Sequence, residues 1–419
     1  MHFFLPGILI GTGIAPEFGM QKNFDYAGNA IFFALCGLIA MQAGSAYVNN
    51  GNLYFRQNPS QKINAEIKWR ASRVLPVILV LLVVGWAIRF YTISVNAYLQ
   101  IERTTQGELE GAFYAAIRML ELFPFQALCI LSIMCWRPGV KSSRQWLWGV
   151  NFLVAAEIIY WLPSGRKEPV ILAIILPLLV RYLRTSQLPS LRFVVAFIGS
   201  VVLLFSWGFA YRYALDVSGA TSNASDMIRA ITAANEGGYD HRLSTFEITV
   251  GRFSLVEPLS ACLRIIDERV WEPFMGTSYA QALLGVIPRF LWPDKPDLHY
   301  GNEFGYMAGF IGSYDERTSI SVTFFGESYL NFGWFGILPL ALIGSFFGVI
   351  YRLANSSRRR ETWLLLYLVT LPVILYVGGT FALYFGGLIK MMPFFYIIGR
   401  FMEGNISPLR QKPVSSSKG

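Results

Sequence analysis

Residues 287–299 read IPRFLWPDKPDLH and form the most polar, turn-rich part of a long stretch, 213–321, that is too polar to lie within a bilayer. Nearly all of the chain on either side of this stretch is apolar. The stretch carries 14 acidic and eight basic residues. Its polarity predicts a large loop outside the membrane that joins two sets of membrane-spanning helices.

The whole chain has the composition of a polytopic membrane protein. Of its 419 residues, 54% are hydrophobic and only 15% are charged, whereas an average globular domain is about 25% charged. The net charge is +9, but the basic residues occupy short segments between apolar runs rather than one face of a soluble domain. This pattern indicates membrane topology and argues against nucleic acid as a partner.

Apolar runs of near-spanning length recur along the chain, so we predict an all-α membrane protein with about ten transmembrane helices. The first run is short and is broken by Pro6, and the sixth and tenth are also short. The predicted spans are about 2–16, 27–48, 74–94, 114–135, 145–163, 168–184, 192–212, 328–351, 362–384 and 387–401.

Lysine and arginine concentrate in alternate connecting segments, which predicts the orientation of the helices. Both termini are expected in the cytoplasm, and the 213–321 loop is expected on the outer side. The basic segments are 49–73, 136–145, 181–192, 352–361 and 400–418.

The predicted domain organisation follows from these spans. Residues 1–212 form an N-terminal bundle of about seven helices, and 213–321 form the large outer loop. Residues 322–401 form the C-terminal transmembrane helices, and 402–419 form a polar, disordered cytoplasmic tail.

Two segments of the loop are predicted to be helical. Glu257–Trp271 places apolar residues at the spacing of an amphipathic helix, and packing is its expected role. Residues 279–291 are nearly all apolar up to Pro288 and are expected to form a helix at the outer interface.

Ionisable residues inside the predicted spans mark a functional region, because a charge at mid-bilayer costs roughly 2.5–3.5 kcal/mol. In the predicted topology each lies toward the outer end of its helix, so these side chains are expected to converge beneath the loop. Glu157 is expected to be a structural partner of an arginine. The residues are Arg89, Arg118, Glu121, Glu157, Arg212, Glu327 and Lys390.

The short link Ser164–Pro169 (SGRKEP) is predicted to be a phosphate site. Gly165 allows a tight turn, and Pro169 suits the first turn of the following helix. Arg166 and Lys167 then lie at a helix N-terminus, which favours anions. The alternative is that both cations only reach lipid headgroups.

The four cysteines show neither a disulfide pair outside the membrane nor metal-ligand spacing. No metal site is therefore predicted.

Three features together resemble the bacterial O-antigen polymerase (Wzy-type), or oligosaccharide repeat-unit polymerase, family. They are the Ser-Gly-Arg turn at 164–166, the IPRFLWPDKP run of the loop, and GESYLNFGWFG at 326–336. The resemblance covers roughly residues 110–350.

The resemblance implies a GT-C-like glycosyltransferase of the bacterial inner membrane that works at the periplasmic face. It would transfer a growing glycan from undecaprenyl pyrophosphate onto a lipid-linked repeat unit, without a metal or another cofactor. A chain-length-determining co-polymerase is a further expected partner.

Cations and a base are the residues that such a transfer needs. The leaving pyrophosphate gains charge as the glycosidic bond breaks, so preorganised cations stabilise the transition state; we predict Arg166, Lys167, Arg212, Arg289 and Arg317, with Arg89, Arg118 and Lys390 as second choices. The base candidates are Glu327, Asp297, His299 and Glu303.

Structural roles remain open for several of these residues. Arg289 could be an interface anchor, His299 a solvated residue, and Glu327 a partner of Arg212 or Arg118. Alternatives for the whole protein are an O-antigen ligase and a transporter or flippase of lipid-linked oligosaccharide, although the chain lacks the repeated halves typical of transporters.

Overall fold

The computed structural model describes residues 23–50, 68–95, 98, 114–137, 144–218, 225, 228–229, 232, 255–284, 287, 292, 300–312, 314, 319–356, 359–375 and 379–404. About 82% of this part of the chain is helical, and it contains no β-strand. The predicted all-α class is therefore confirmed.

Fourteen α-helices occur among the described residues, together with 3-10 turns at Phe24–Tyr26 and Gly333–Gly336. The α-helices are α1 (Ala27–Asn50), α2 (Ala71–Ser94), α3 (Tyr114–Glu121), α4 (Phe123–Cys135), α5 (Arg144–Trp161), α6 (Lys167–Thr185), α7 (Leu191–Ser218), α8 (Val256–Asp267), α9 (Thr277–Leu284), α10 (Gly301–Ala308), α11 (Thr323–Phe332), α12 (Ile337–Ser356), α13 (Arg360–Leu375) and α14 (Phe381–Met402).

Within the described part of the chain, three helical segments are long and apolar enough to cross a membrane: Ala27–Asn49, Ala71–Ser94 and Thr323–Asn355. They fit a membrane protein by length and composition. Each predicted span from residue 27 onward overlaps one or more helices, and the predicted span 2–16 lies outside the described residues.

Several predicted boundaries were wrong. The run 362–384 is not one helix, because α13 ends at Leu375 and α14 begins at Phe381; the Gly378-Gly379 pair between them disfavours helix. The run 114–135 is broken at Leu122, where Pro124 lies in the first turn of α4. Helix α7 continues to Ser218, past the predicted boundary at 212.

The buried apolar residues form two main clusters. The larger joins α2, α4, α5, α6, α13 and α14, and the second joins α1, α8, α11 and α12. Helices α1 and α12 approach especially closely: a Cβ added at Gly344 would lie 2.1 Å from the Met41 carbonyl oxygen. The predicted amphipathic helix in the loop is confirmed as α8, whose apolar face contributes to the second cluster.

Polar contacts join four segments at one end of the bundle, which we call the clamp end (residues 68–73, Arg137, 359–362 and 400–404). Arg137 donates Nε to Glu361 Oε1 at 2.7 Å and Nη2 to Glu361 Oε2 at 2.8 Å. The backbone N–H of Trp69 also donates to Glu361 Oε2, at 2.6 Å. Glu403 accepts from Arg359 at 2.6 Å and from Arg400 at 2.9 Å.

The opposite end carries a second set of polar contacts, which we call the turn end (Arg89, Glu121, residues 157–167 and Tyr211). Arg89 is 18 residues into α2, so it lies about 27 Å along that helix from its start at the clamp end. Helices α4 and α14 end at the clamp end, so they begin on the same side of the bundle as Arg89. Helix α6 begins there too, because its first residue, Lys167, belongs to the turn end.

Candidate functional site

The Ser164–Lys167 turn has the geometry that its sequence predicts. Gly165 adopts a φ of 69°, a left-handed conformation that glycine tolerates at low cost. The Ser164 hydroxyl donates to the Trp161 carbonyl at 2.6 Å and accepts the Arg166 N–H at 3.3 Å. Helix α6 begins at Lys167, so Arg166 occupies its N-cap position and Pro169 its first turn.

Arg166 and Lys167 are partly exposed at this turn, so both can meet a ligand from outside the bundle. The guanidinium carbon of Arg166 lies 5.5 Å from the centre of the Trp161 ring, within the range of a cation–π contact. The first turn of α6 adds the positive end of a helix dipole to these two cations. Glu168 adds one carboxylate to the same turn, so the two cations leave a net positive charge for an anionic group.

A buried ion pair lies beneath the turn. Arg89 is completely buried and donates Nη2 to Glu157 Oε2 at 2.8 Å. This confirms the prediction that Glu157 is the structural partner of an arginine. Arg89 also donates Nε to the carbonyl of Glu121 at 3.1 Å, where α3 ends. Its third nitrogen, Nη1, has no hydrogen-bond partner within the described part of the chain.

Aromatic residues surround this ion pair. The Arg89 guanidinium carbon lies 4.1 Å from the centre of the Tyr160 ring and 5.5 Å from that of Trp161. The Tyr160 hydroxyl donates to Glu121 Oε1 at 2.6 Å. Tyr98 donates a hydrogen bond to the Tyr160 carbonyl. Three of the predicted embedded charges, Arg89, Glu121 and Glu157, are therefore brought together.

Helix α7 reaches the same turn. The Tyr211 hydroxyl donates to the Pro163 carbonyl at 2.7 Å. Arg212 is the next residue on α7, so its backbone lies beside the turn. The side chains of Arg212, Arg118 and Lys390 lie outside the described residues.

Glu327 lies in a different polar cluster, on α11. It is completely buried; Oε1 accepts from the Ser278 hydroxyl at 2.7 Å, and Oε2 accepts the backbone N–H of Phe381 at the start of α14. Asn331 donates to Ser278 Oγ at 2.7 Å and to the Glu327 carbonyl at 2.8 Å. These contacts fasten α9 and α14 to α11.

Two tyrosines lie near this cluster. Burial raises the pKa of Tyr300, and the neighbouring Glu327 carboxylate raises it further. Burial likewise raises the pKa of Tyr279, whose hydroxyl lies 2.7 Å from Ser328 Oγ. Both tyrosines are therefore neutral hydroxyls at physiological pH.

Of the remaining predicted site residues, the structure describes Glu303, and the other four lie outside the described part of the chain. Glu303 is exposed in the first turn of α10. Asp297, His299, Arg289 and Arg317 lie outside the described residues. Within the described ranges, no group of three or more His, Cys, Asp or Glu side chains is placed to hold a metal ion.

Sequence reasoning missed the two residues that connect the buried ion pair to the turn. Trp161 donates Nε1 to Glu157 Oε2 at 2.9 Å. The neighbouring Tyr160 donates its hydroxyl to Glu121 Oε1 at 2.6 Å. The four-residue spacing of Glu157 and Trp161 on one helix face was the available signal. Ser278 gave no such signal, because it meets Glu327 only through the tertiary fold.

Comparison with known proteins places this chain in a family. It matches the family described as Domain of unknown function (DUF8712) over residues 20–389. The chain belongs to this family. The match includes the turn end, Glu327 and the whole 213–321 stretch, so the candidate residues other than Lys390 lie inside the family region. No curated protein and no solved structure matches the chain.

Proposed function

We propose that this protein is a multi-pass glycosyltransferase of the bacterial inner membrane, with about ten transmembrane helices. It would polymerise O-antigen or exopolysaccharide at the periplasmic face by transferring a growing glycan from undecaprenyl pyrophosphate to a lipid-linked repeat unit. The resemblance of the turn and loop motifs suggests this reaction.

The observation that carries the proposal is the cationic turn above a buried arginine. Arg166 and Lys167 lie at the start of α6, above the Arg89–Glu157 pair, and Tyr211 brings the backbone of Arg212 beside them. A lipid pyrophosphate is a polyanion whose phosphate oxygens the planar guanidinium of an arginine can contact in pairs. The turn is therefore suited to the diphosphate of a lipid carrier.

The chemistry assigned to the turn is stabilisation of the leaving group. The bond between the anomeric carbon and the pyrophosphate oxygen breaks, and the electron pair stays on the pyrophosphate. A new bond forms to the acceptor hydroxyl, whose proton passes to a carboxylate or histidine. Fixed cations favour the transition state because the diphosphate carries more negative charge there than in the bound substrate.

The proposed base is an accessible carboxylate of the loop. Glu303 is exposed, whereas Glu327 is fully buried and both of its oxygens accept hydrogen bonds. Exposure therefore favours Glu303 over Glu327 as the base. Asp297 and His299 remain candidates from the sequence.

Topology gives independent support. The clamp end joins residues of three predicted cytoplasmic segments, 49–73, 136–145 and 352–361, to the end of α14. At that same side Arg352, near the end of α12, donates to the Val48 carbonyl at 2.6 Å, near the end of α1. This agreement favours a cytoplasmic clamp end and a periplasmic turn end.

The test is polymer formation in cells that lack the chromosomal copy. Arg166→Ala and Arg289→Ala should abolish the glycan ladder while protein remains folded in the membrane, and Glu303→Ala should reduce the ladder strongly. Arg192→Ala is the matched control, because Arg192 is an exposed cation at the opposite end of α7 from Arg212.

A normal ladder in both arginine variants would reject the assignment. The pattern of loss also distinguishes a polymerase from a ligase. Cells with an inactive polymerase still carry a single repeat unit on the lipid A core, whereas cells with an inactive ligase carry none.

A further inference from the structure

Trp161 connects the buried ion pair to the turn in two ways. Its ring lies 5.5 Å from the guanidinium carbon of Arg89 and 5.5 Å from that of Arg166. Its carbonyl accepts the hydroxyl of Ser164 at 2.6 Å and the N–H of Ser164 at 3.2 Å. The same residue therefore contacts the turn arginine through its ring and the turn backbone through its carbonyl.

The orientation of the Trp161 ring is itself fixed. Its Nε1 donates to Glu157 Oε2 at 2.9 Å, and that oxygen also accepts Arg89 Nη2 at 2.8 Å. Trp161 and Glu157 are each 1% exposed, and Arg89 is fully buried. Hydrogen bonds to a charged group in such an apolar setting are strong and directional, so the ring has little freedom to rotate.

We infer that Trp161 is a positioning residue for Arg166, and that Glu157 fixes the orientation of the Trp161 ring. The flat ring holds the guanidinium at the mouth of the turn, so less side-chain freedom is lost when an anion binds. This inference rests on the proposed function, because it presumes that Arg166 contacts the pyrophosphate of the substrate.

The inference is tested by binding of farnesyl pyrophosphate to the purified full-length protein, with thermal stability measured in parallel. Arg166→Ala removes a charge-assisted contact and should weaken binding by about 10-fold or more. Trp161→Leu removes the ring and should weaken binding by about 3-fold or more, the size of a cation–π contact. Trp148→Phe is the control, because Trp148 lies on the same helix and is 65% exposed.

A double variant separates positioning from a structural role. If the ring acts through Arg166, Arg166→Ala combined with Trp161→Leu should bind no more weakly than Arg166→Ala alone. A ring that only stabilises the fold would lower the melting temperature and leave the affinity of the folded protein unchanged. That result would overturn the inference.

The conservative variant Trp161→Phe tests the same idea if Trp161→Leu does not accumulate. It keeps an aromatic face but loses the hydrogen bond to Glu157. We expect weaker binding that disappears in the Arg166→Ala background, and unchanged affinity would refute the role of Glu157.

The two proposals fail in different ways. Full affinity in Arg166→Ala would refute the proposed function. Loss of affinity in Arg166→Ala with full affinity in both Trp161 variants would refute the positioning role alone.

Discussion

The clamp end and the turn end both pair arginines with buried glutamates, but they satisfy those groups differently. At the clamp end every carboxylate oxygen of Glu361 and Glu403 accepts a hydrogen bond, and Arg137 meets Glu361 with two nitrogens. At the turn end Arg89 shares a single oxygen of Glu157 with Trp161, and its Nη1 has no partner among the described residues.

This difference indicates different roles for the two ends. A fully satisfied network fixes one arrangement of the segments that it joins. A buried donor without a partner costs stability, so native structures keep few of them. We therefore interpret the clamp end as the support of the bundle and the turn end as the region whose groups serve binding.

The largest expected effect is on stability, from Glu361→Ala. Glu361 is 2% exposed and Arg137 is 14% exposed. The variant therefore removes both carboxylate contacts of a mostly buried guanidinium, which retains the Trp69 carbonyl, and it removes the acceptor of the Trp69 N–H. Breaking such a pair typically costs about 3–5 kcal/mol. Unfolding in detergent should show a loss of this order, with farnesyl pyrophosphate affinity unchanged in the folded protein.

Glu272→Ala is the control for this variant, because Glu272 is exposed and its removal should change stability by less than about 0.5 kcal/mol. Equal stability of the Glu361 and Glu272 variants would contradict the role assigned to the clamp end. A loss of farnesyl pyrophosphate affinity in folded Glu361→Ala would contradict that role as well.

The second expected effect is on function, from Arg166→Lys. Lysine keeps the charge but cannot place two nitrogens against a phosphate or lie flat on the Trp161 ring. Most of the glycan ladder should therefore be lost. Arg400→Lys is the matched change at the clamp end, where one Arg400 nitrogen contacts Glu403 and the side chain is 41% exposed.

The ladder of Arg400→Lys should be close to that of the unmodified protein. If Arg166→Lys and Arg400→Lys behave alike, charge alone is sufficient at the turn, and the contrast between the two ends does not extend to function.

The sequence predicted the features that depend on local patterns. Apolar runs located the helices, the Glu257–Trp271 spacing located α8, and Gly165 with Pro169 located the turn before α6. These features depend on residues that are neighbours along the chain, so composition and periodicity carry the information.

Contacts between distant segments could not be predicted in this way. Arg89 and Glu157 are 68 residues apart, and Ser278 and Glu327 are 49 apart. The sequence indicated that Glu157 needs a cation, because an unpaired buried charge is costly, but it did not identify Arg89. Glu327 was expected to face the site, whereas its oxygens accept from Ser278 and from the backbone of α14.

The smallest expected effect comes from a carboxylate that pairs with no arginine among the described residues, unlike the glutamates at the two ends. Glu257, in the first turn of α8, is partly buried, and burial raises its pKa from the usual 4.5 to about 7. The folded protein then holds this proton more tightly than the unfolded chain. The contribution of Glu257 to stability should be greatest below about pH 4.5 and should be lost as the pH rises through about 7.

Glu257→Gln has no proton to lose, so its stability should depend less on pH and should exceed that of the unmodified protein slightly at pH 8. Because the side chain is only partly buried, solvent screening should keep the difference below about 1 kcal/mol. Unfolding between pH 4.5 and 8 measures it, with the exposed Glu272→Gln as control. Parallel pH curves for the unmodified protein and Glu257→Gln would mean that Glu257 has a cation as neighbour, as Glu361 has at the clamp end.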